Sequence, residues 1–452
     1  MRLKFALRVQ QGDVIAFVGA GGKTSALFRL AYELVAEGWR VLATTTTRVA
    51  VDELALAPSA LSLDRVEGNL ATLTAALNKT RFVFLYSHVR DGKVKGIPPE
   101  YVHILLDRVS SDVVLVEADG ARRLPFKAPY AHEPVVPFET TRIVLSASMD
   151  VLGQPLDHTH VYNPEAMIRR FGYPVGAPVI WPWVASVLRD EQLGLLNLPV
   201  TIPVTVLLNK TPMAGTVRRQ AQLAASLLLR SSRIDGVIVG DMQNQDDPVY
   251  EVRRPVAAIV LAAGKSSRMG QTKALLPWGR ETVLEAIIRQ LYAARLEHIV
   301  VVTGHDADRI TAIAERYGVQ VVHNPDYECG EMLSSLQTGL RVLGGRYDGA
   351  LVVLGDQPQL QSYVVARVLE AYAHGGKGIV IPSFDLRRGH PVLFGRRHWQ
   401  GLLELPAGSA PRDLVNANVD DIAYVNVATD SILQDIDTPE DYERALRRAG
   451  LR

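Results

Sequence analysis

Two short segments, one in each half of the 452-residue sequence, combine small residues with cations in a way that suits phosphate binding. The first is Gly-Ala-Gly-Gly-Lys-Thr-Ser at 19–25, and the second is Leu-Ala-Ala-Gly-Lys-Ser-Ser-Arg-Met-Gly at 261–270, followed by Lys273. Small residues let backbone N–H groups approach a phosphate chain closely. Lys and Arg side chains then add positive charge. Both segments therefore predict sites for phosphorylated ligands such as nucleotides.

The first segment lies between a strand-like run, Val14–Val18, and an amphipathic stretch at 24–37. It is similar to the shortened P-loop Gly-x-x-Gly-Lys-Thr, because Phe17 stands where the full motif has its first glycine. N–H groups at a helix N-terminus bind phosphate, the lysine reaches it, and the threonine can bind magnesium. The alternative is a glycine-rich connection that only begins a helix. We predict contacts to a nucleotide from Gly19, Gly21, Gly22, Lys23 and Thr24, with Thr24 also a metal ligand.

Carboxylates in the same half end another hydrophobic run, Val113–Val116. Glu117 and Asp119 stand where a magnesium-binding carboxylate of a P-loop protein belongs, so both are candidate metal ligands. The run Thr44–Thr47 also ends a strand-like segment and could meet phosphate, although such a run more often serves strand and turn chemistry. Asn-Lys-Thr-Pro at 209–212 is similar to the guanine-reading Asn-Lys-x-Asp motif but lacks its aspartate. ATP and GTP therefore both remain possible ligands.

The second segment directly follows the run Val256–Leu261. Asp356 follows another run, Leu351–Leu354, at the edge of a parallel sheet where ligands bind. Magnesium is commonly held by one or two carboxylates plus phosphate oxygens, so Asp356 is a predicted metal ligand and Asp437 a candidate second one. Turn chemistry before a helix is the alternative for Asp437. We predict nucleotide contacts from Leu261, Ala262, Ala263 and Gly264, and catalytic roles for Arg268, Lys273 and Asp356.

The string LAAGKSSRMGQTKALLPWG resembles the signature loop of the nucleotidyltransferase superfamily, and within it the molybdenum cofactor cytidylyltransferases. Further family elements occur in the same order over 255–452, namely Asn324 with GEMLSS at 330–335, GDQP at 355–358, GHPVLF at 389–394 and DIDTPED at 435–441. The resemblance implies that a nucleoside triphosphate condenses with a phosphorylated acceptor and releases pyrophosphate. Ala263 favours CTP by the same resemblance, since relatives with a second glycine there use GTP.

The same resemblance bears on four residues of the second half that are predicted to bind substrate. The family region around Asn324, Ser334 and Ser335 contacts nucleotide and acceptor, with turn and helix-cap bonding as the alternative. His390 could bond an acceptor group or be a structural histidine. Cys329 has no neighbouring cysteine and is predicted to be a structural thiol.

The first half carries its own resemblance. The strings GAGGKTS, TTTT, VEADGARRLPFKAPYAHEP and LLNK resemble the YqeC family, which is associated with selenium-dependent molybdenum hydroxylases, over roughly residues 10–245. The resemblance implies a nucleotide site and a part in the maturation of those hydroxylases, but it does not identify a reaction. It also makes a molybdenum hydroxylase apoprotein a candidate partner.

Short β-branched runs alternate with longer amphipathic segments in both halves, which is typical of α/β units. Further strands are predicted at 41–44, 143–147, 204–208, 236–240, 298–303 and 378–381, and further helices at 214–229, 282–295, 306–317, 332–343, 362–373 and 438–448. The polar stretch 241–255 is predicted to be a linker. We therefore predict two consecutive three-layer α/β domains: a P-loop-like domain at 1–245 and, with the family resemblance, a Rossmann-like (glycosyltransferase-A-like) domain at 255–452.

Composition excludes several other classes. The 49 Lys and Arg residues balance 48 Asp and Glu residues, a net charge of +1 that argues against general nucleic-acid binding. Pro182 interrupts the longest apolar run, at 177–188, which is far shorter than the ~20 residues of a membrane span. A single cysteine and a first segment unlike a secretory signal predict the cytoplasm.

The expected protein is thus a fusion. Its second domain transfers CMP from CTP, with Mg²⁺, to a molybdopterin-type cofactor, and its first domain binds ATP or GTP and helps modify or deliver that cofactor. Two alternatives remain open. One keeps the enzyme class but uses a sugar or polyol phosphate as acceptor, and the other is a nucleotide-regulated cofactor chaperone that binds without turnover.

Overall fold

The computed structural model describes residues 1–66, 68–266, 269–328 and 331–452. Contacts within the chain divide it into two compact units, Met1–Arg253 and Arg254–Arg452. Within the described residues, no helix combines the length and apolar character needed to cross a bilayer.

The first unit is a mixed α/β structure. Its strands are β1 Val14–Gly19, β2 Val41–Thr45, β3 Arg48–Ala50, β4 Ala60–Ser62, β5 Phe82–Tyr86, β6 His88–Arg90, β7 Lys93–Lys95, β8 Val113–Glu117, β9 Phe126–Lys127, β10 Arg142–Ser148, β11 Val161–Tyr162, β12 Val204–Asn209, β13 Ile234–Gly240 and β14 Val249–Arg253. Its helices are α1 Leu3–Leu7, α2 Lys23–Val35, α3 Leu63–Val66, α4 Leu70–Thr80, α5 Tyr101–Arg108, α6 Pro164–Phe171, α7 Trp181–Leu188 and α8 Thr216–Leu228.

The main sheet of the first unit has the order β14-β13-β12-β10-β1-β8-β2-β5-β4. All neighbouring strands in it are parallel except β13 and β14. Strand β1 is buried along its whole length: Ile15 and Phe17 join the core on one face of the sheet, and Val14, Ala16 and Val18 join the core on the other. Such two-sided burial explains its continuous apolar sequence. The carboxyl ends of β1, β8 and β10 consequently share one edge.

The segment predicted as a linker is partly strand, which corrects that prediction. Strand β14 within it pairs antiparallel with β13. Val249 and Val252 pack into the core, while buried Glu251 accepts hydrogen bonds from Gln222 and from Arg253. The polar run at 241–247 precedes the strand, and the second part of the segment, Val249–Arg253, is the edge strand.

The second unit is also mixed α/β. Its strands are β15 Val256–Ala262, β16 Pro277–Trp278, β17 Glu281–Thr282, β18 Ile299–Thr303, β19 Gln320–His323, β20 Gly349–Leu354, β21 Ile379–Phe384, β22 Arg387–Arg388, β23 Val392–Gly395 and β24 Ile422–Asn426. Its helices are α9 Val283–Ala293, α10 Ala307–Arg316, α11 Glu331–Leu343, α12 Ser362–Ala373, α13 Trp399–Glu404, α14 Pro411–Ala417 and α15 Pro439–Arg448.

The main sheet of the second unit has the order β19-β18-β15-β20-β23-β21-β22, and β24 also pairs with β21. Strands β19, β18, β15 and β20 are parallel, whereas β23 runs antiparallel to both of its neighbours. Gly355 comes directly after β20 and packs against the backbone of β15. A Cβ at this position would lie 2.5 Å from the carbonyl oxygen of Leu261. Glycine is therefore required directly before Asp356.

The strands and helices predicted from the sequence pattern are confirmed, with ends that differ by at most three residues. The predicted α/β fold class is confirmed for both units. Short elements without a strong pattern, such as the three-stranded sheet β3-β7-β6, escape the sequence analysis.

Candidate functional site

A cleft of about 430 Å³ opens in the second unit at the carboxyl ends of β15 and β20. Its wall is formed by the glycine-rich segment, the turn that carries Lys273, and the segments that carry the predicted carboxylates. The predicted residues that line it are Leu261, Ala262, Ala263, Gly264, Lys273, Ser335, Asp356 and Asp437. Residues far apart in the sequence thus come together at the predicted sheet edge.

Lys273 connects the two predicted metal ligands. Its Nζ donates hydrogen bonds to Asp356 Oδ2 at 2.9 Å and to Asp437 Oδ1 at 2.7 Å. Its own backbone N–H donates to Ser266 Oγ at 3.1 Å, which attaches the lysine turn to the glycine-rich segment. Burial lowers the pKa of Lys273, but the charges of Asp356 and Asp437 outweigh burial and raise that pKa above its ordinary value.

Negative charge exceeds positive charge around Asp356. Burial raises the pKa of its carboxyl group, Lys273 opposes the shift, and the carboxylates of Asp435 and Asp437 add to it. Among the described residues, no group of three or more His, Cys, Asp or Glu forms a metal site. One or two carboxylates with phosphate and water oxygens are nevertheless the usual donors for Mg²⁺. The donor set at Asp356 and Asp437 therefore fits a magnesium ion that arrives with a phosphate ligand.

Gly264 leaves space in the cleft that the protein does not fill. Its φ is not positive, and a Cβ built on it would meet no atom of the described residues within 4 Å. Neither backbone strain nor packing in the protein therefore requires glycine here, unlike at Gly355. Because Gly264 lines the cleft, the open space beside it fits the close approach of a ligand.

The glycine-rich segment of the first unit is packed much more tightly. Gly19, Gly21 and Gly22 have φ values of 90°, 71° and 124°. A Cβ on Gly22 would lie 2.0 Å from Asn209 Nδ2, and one on Gly21 would lie 2.4 Å from the backbone nitrogen of Ser148. These glycines are required by the backbone path itself.

Hydrogen bonds within the protein correct part of the predicted phosphate contact in this segment. The N–H of Gly19 donates to Asp119 Oδ2 at 2.9 Å, and the N–H of Gly21 donates to the Leu124 carbonyl oxygen at 3.1 Å. These two groups are occupied. The N–H groups at the start of α2, including those of Lys23 and Thr24, have no partner within their helix and remain for a ligand.

Lys23, Thr24, Glu117 and Asp119 come together at the carboxyl ends of β1 and β8. Lys23 Nζ lies 3.3 Å from Asp119 Oδ1 and 3.8 Å from Glu117 Oε1, and Thr24 Oγ1 donates to Glu117 Oε2 at 2.8 Å. Burial lowers the pKa of Lys23, but the charges of Asp119 and Glu117 outweigh it and raise the pKa. Burial raises the pKa of Glu117, which Lys23 opposes. A threonine hydroxyl beside a carboxylate is a donor set that suits Mg²⁺.

Comparison with known proteins gives the family of this half. The model described as "YqeC protein" matches residues 15–165. The chain is 31% identical over 230 residues to the uncharacterized protein YqeC of Escherichia coli strain K12, covering 51% of this chain and 88% of that protein. The chain belongs to the YqeC family.

The other half matches the model described as "MobA-like NTP transferase domain" over residues 258–422. It is 27% identical over 194 residues to the molybdenum cofactor cytidylyltransferase of Escherichia coli strain K12, covering 43% of this chain and 96% of that protein. It is also 31% identical over 145 residues to a molybdenum cofactor guanylyltransferase of Mesorhizobium japonicum, covering 31% of this chain and 67% of that protein. Both resemblances found in the sequence are thereby confirmed, and the MobA-like domain is a nucleotidyltransferase.

Three of the four predicted substrate contacts of the MobA-like domain are not among the residues that line the cleft. Asn324 is completely buried, and its Nδ2 donates to Ser334 Oγ at 2.9 Å and to Ser335 Oγ at 3.0 Å. The amide therefore ties the loop after β19 to the start of α11, and only Ser335 of the three lines the cleft. His390 is outside the described lining of the cleft, and burial lowers its pKa. Arg268 lies outside the described residues.

Asp435 is a further functional candidate. It belongs to the DIDTPED motif, but no role was predicted for it. It lines the cleft together with Asp437, and its Oδ1 accepts a hydrogen bond from Gln357 Nε2 at 2.6 Å. The Asp-x-Asp spacing was the available signal, because alternate residues of an extended segment share a side.

Three further candidates lie in the YqeC-family unit: Lys127 and Glu133, in a loop that the sequence offers either for a ligand or for structure, and Glu53. Lys127 Nζ lies 3.0 Å from both Asp119 Oδ2 and Glu133 Oε2, and all three side chains are almost completely buried. Glu53, near Lys23, has its pKa raised to about 7 by burial and by the charge of Glu117. Lys127 and Glu133 belong to the YqeC-family string VEADGARRLPFKAPYAHEP, whereas no motif in the sequence points to Glu53.

The contacts of Asn209 and of the threonine run agree with structural roles for both. Asn209 is buried, donates to the Gly21 carbonyl oxygen at 2.9 Å and accepts from the Met242 N–H at 3.0 Å. It supports the phosphate segment and has no free edge to read a base. The hydroxyl groups of Thr44, Thr45 and Thr46 donate to backbone carbonyl oxygens, as Thr45 Oγ1 does to that of Glu117 at 2.9 Å.

Proposed function

We propose that the MobA-like domain transfers CMP from CTP to the phosphate of a molybdopterin-type cofactor and releases pyrophosphate. The observation that carries this proposal is the bridge from Lys273 to Asp356 and Asp437 beside the open space at Gly264. A cation, two carboxylates and an unfilled small-residue loop at one edge are the groups that a triphosphate with a divalent ion needs.

Each group has a defined part in the proposed reaction. An oxygen of the acceptor phosphate attacks the α-phosphorus of CTP, and the bond from that phosphorus to the oxygen of the β-phosphate breaks. The loop at 261–264 positions the triphosphate, and Lys273 offsets negative charge on the departing pyrophosphate. Asp356 and Asp437 would hold Mg²⁺, which supplies further charge stabilisation at the phosphate oxygens when bound. No protein nucleophile is needed, because the acceptor supplies its own.

CTP is the proposed nucleotide because Ala263 narrows the cleft wall by one methyl group relative to glycine, and a pyrimidine needs less room. The curated relatives include both a cytidylyltransferase and a guanylyltransferase. Steady-state rates with CTP and GTP therefore test this choice directly. Ala263→Gly should raise the rate with GTP relative to CTP, and equal rates for both nucleotides in the native protein would contradict the proposal.

We propose that the YqeC-family unit binds ATP or GTP and assists the delivery of the cofactor to a molybdenum hydroxylase apoprotein. The free N–H groups at the start of α2, together with Lys23, Thr24 and Glu117, support a site for a phosphate chain and Mg²⁺. Lys23→Ala should weaken nucleotide binding by this unit in calorimetric titration. An unchanged affinity would contradict nucleotide binding at Lys23 in this unit.

Pyrophosphate release tests the reaction and separates it from its alternatives. The full chain is incubated with each of the four nucleoside triphosphates, Mg²⁺ and either molybdopterin-type cofactor or a panel of sugar and polyol phosphates. Release with CTP and the cofactor supports the proposal. Release only with a sugar or polyol phosphate would support the first alternative, and tight cofactor binding without any release would support the chaperone.

A further inference from the structure

A second cleft of about 500 Å³ adjoins the first in the MobA-like domain. The two clefts share Asp435 and Asp437 in their walls. The rest of the second wall comes from the hairpin between β21 and β22, the segment before Asp435, and helix α15. Asp435 and Asp437 therefore border both clefts.

Three arginines line the second cleft, and they differ in their partners. Arg448 Nη1 lies 3.1 Å from Asp430 Oδ2, and Arg444 pairs with Asp441 on the same helix. Arg387, on the hairpin, has no acidic partner within the described part of the chain. An exposed, unpaired guanidinium at the wall of a cleft is available to a ligand.

The acidic side chains of the second cleft are mostly engaged within the protein. Asp441 caps helix α15 by accepting from the Thr438 N–H at 3.0 Å, Asp435 accepts from Gln357, and Asp437 accepts from Lys273. Paired carboxylates repel an incoming anion less than free ones do. The arginines are consequently the groups in this cleft best suited to a phosphorylated ligand.

Nucleotidyl transfer needs two anionic reactants to meet at one phosphorus atom. The attacking oxygen must approach from the side opposite to the departing pyrophosphate, so the two reactants enter from different directions. Two clefts that share Asp435 and Asp437 provide two such directions. The first contains the small-residue loop that suits a triphosphate, which leaves the second for the other reactant.

We propose that the second cleft binds the phosphorylated acceptor and that Arg387, Arg444 and Arg448 contact its anionic groups. The proposal rests on the proposed transferase function and adds the acceptor site to it. The acceptor's phosphate oxygen forms the new bond to the α-phosphorus, pyrophosphate leaves with the electron pair of the broken bond, and no oxidant or reductant takes part. The three arginines act in binding and positioning, not in the bond exchange.

Equilibrium dialysis of molybdopterin against the full chain under anaerobic conditions tests the site without requiring turnover. Arg387→Ala and the double variant Arg444→Ala/Arg448→Ala should each weaken molybdopterin binding by about tenfold or more, because each removes charge-assisted hydrogen bonds. Their affinity for CTP should remain unchanged. Arg447→Ala is the matched control, since Arg447 is exposed on the same helix but is not part of the cleft wall.

The same dialysis contains the results that would overturn the inference. Native affinity in both arginine variants, an equal loss in Arg447→Ala, or no molybdopterin binding by the native chain would each refute it. A parallel pyrophosphate assay keeps the two proposals distinct. Arginine-dependent binding without pyrophosphate release would refute the proposed reaction and leave the acceptor site standing.

Discussion

The two phosphate segments use similar residues in opposite ways. In the YqeC-family unit, the glycines at 19, 21 and 22 are required by positive φ angles and close packing, and Lys23 is buried between two carboxylates. In the MobA-like domain, Gly264 faces open space, and the half-buried Lys273 lies beside two more exposed carboxylates. The first segment is thus packed into the core of its unit, whereas the second borders open space that a ligand can occupy. A glycine–lysine motif alone does not distinguish these two cases.

The largest effect is expected from a substitution in the MobA-like domain that should lower the reaction rate and leave the fold intact. Asp356→Ala should lower nucleotidyl transfer by about a thousandfold, because it removes the central carboxylate of the proposed metal site. The thermal midpoint should barely change, since Asp356 lies at the end of a strand beside the cleft. Pyrophosphate release and thermal unfolding measure the two quantities. Asp326→Ala, in an exposed loop of the same domain, is the control, and near-normal transfer by Asp356→Ala would remove this residue from the mechanism.

The next prediction tests whether the first segment belongs to a core. Lys23→Met should destabilise the YqeC-family unit by about 3 kcal/mol, because it leaves the buried carboxylate of Glu117 without its cation and Asp119 with Lys127 alone. Lys273→Met should cost much less stability, since Lys273 and Asp437 are more exposed to water. Urea unfolding of both variants measures the difference. Equal losses of unfolding free energy in the two variants would contradict the difference in burial between the two lysines.

The pH dependence of stability should expose the crowding of carboxylates in the first unit. The pKa of Glu53 is raised to about 7 in the folded state from 4.5. Between these values the folded state holds a proton that the unfolded state has lost, so stability falls as pH rises from about 4.5 to 7. Glu53 is only partly buried, so solvent screening should reduce the loss from this group to about 1–2 kcal/mol.

Chemical unfolding at pH 5 and pH 7.5, without added metal or nucleotide, measures that loss. Glu53→Gln should reduce the difference between the two pH values, because the amide does not titrate. Asp64→Asn, at an exposed position of the same unit, should leave it unchanged. A pH profile of Glu53→Gln that overlays the native profile would contradict the assignment.

Gly22→Ala tests the packing of the first segment. The added methyl group would meet Asn209 Nδ2 at a distance of 2.0 Å, and alanine is strained at a φ of 124°. We expect a loss of about 2–3 kcal/mol in the free energy of unfolding. Gly38→Ala is a useful comparison, because its φ is also positive but a Cβ there meets nothing within 4 Å. Equal losses in the two variants would attribute the cost to backbone strain alone.

The smallest effect is expected at the corresponding glycine of the second segment. Gly264→Ala adds a methyl group that contacts no atom in the described part of the chain, so stability should change by less than about 0.5 kcal/mol. The Michaelis constant for CTP should rise by about tenfold, because the methyl group occupies space proposed for the triphosphate. An unchanged Michaelis constant would show that the open space at Gly264 is not used by the nucleotide.

Much of this molecule follows from local patterns. Apolar runs such as Val14–Val18 predict buried parallel strands, since a strand covered on both faces has no polar alternation. The glycine-rich segments and Asp356 were found because ligand-binding residues follow such strands directly. Strand β14 was missed because polar side chains on an edge strand resemble a linker, and Glu53 was missed because its raised pKa depends on Glu117, far away in the sequence.

Sequence alone established that this chain has two α/β halves, each with a phosphate-type loop after its first buried strand and acidic residues after another. Those properties depend on hydrophobic periodicity and on the steric freedom of glycine, both of which act over a few neighbouring residues. Only the tertiary structure decided what each loop faces. It showed that Asn209 supports the first loop, that Asn324 is internal, and that Lys273 meets Asp437 across 164 positions of sequence. Contacts of that kind arise from how strands are ordered in a sheet, which no local pattern contains.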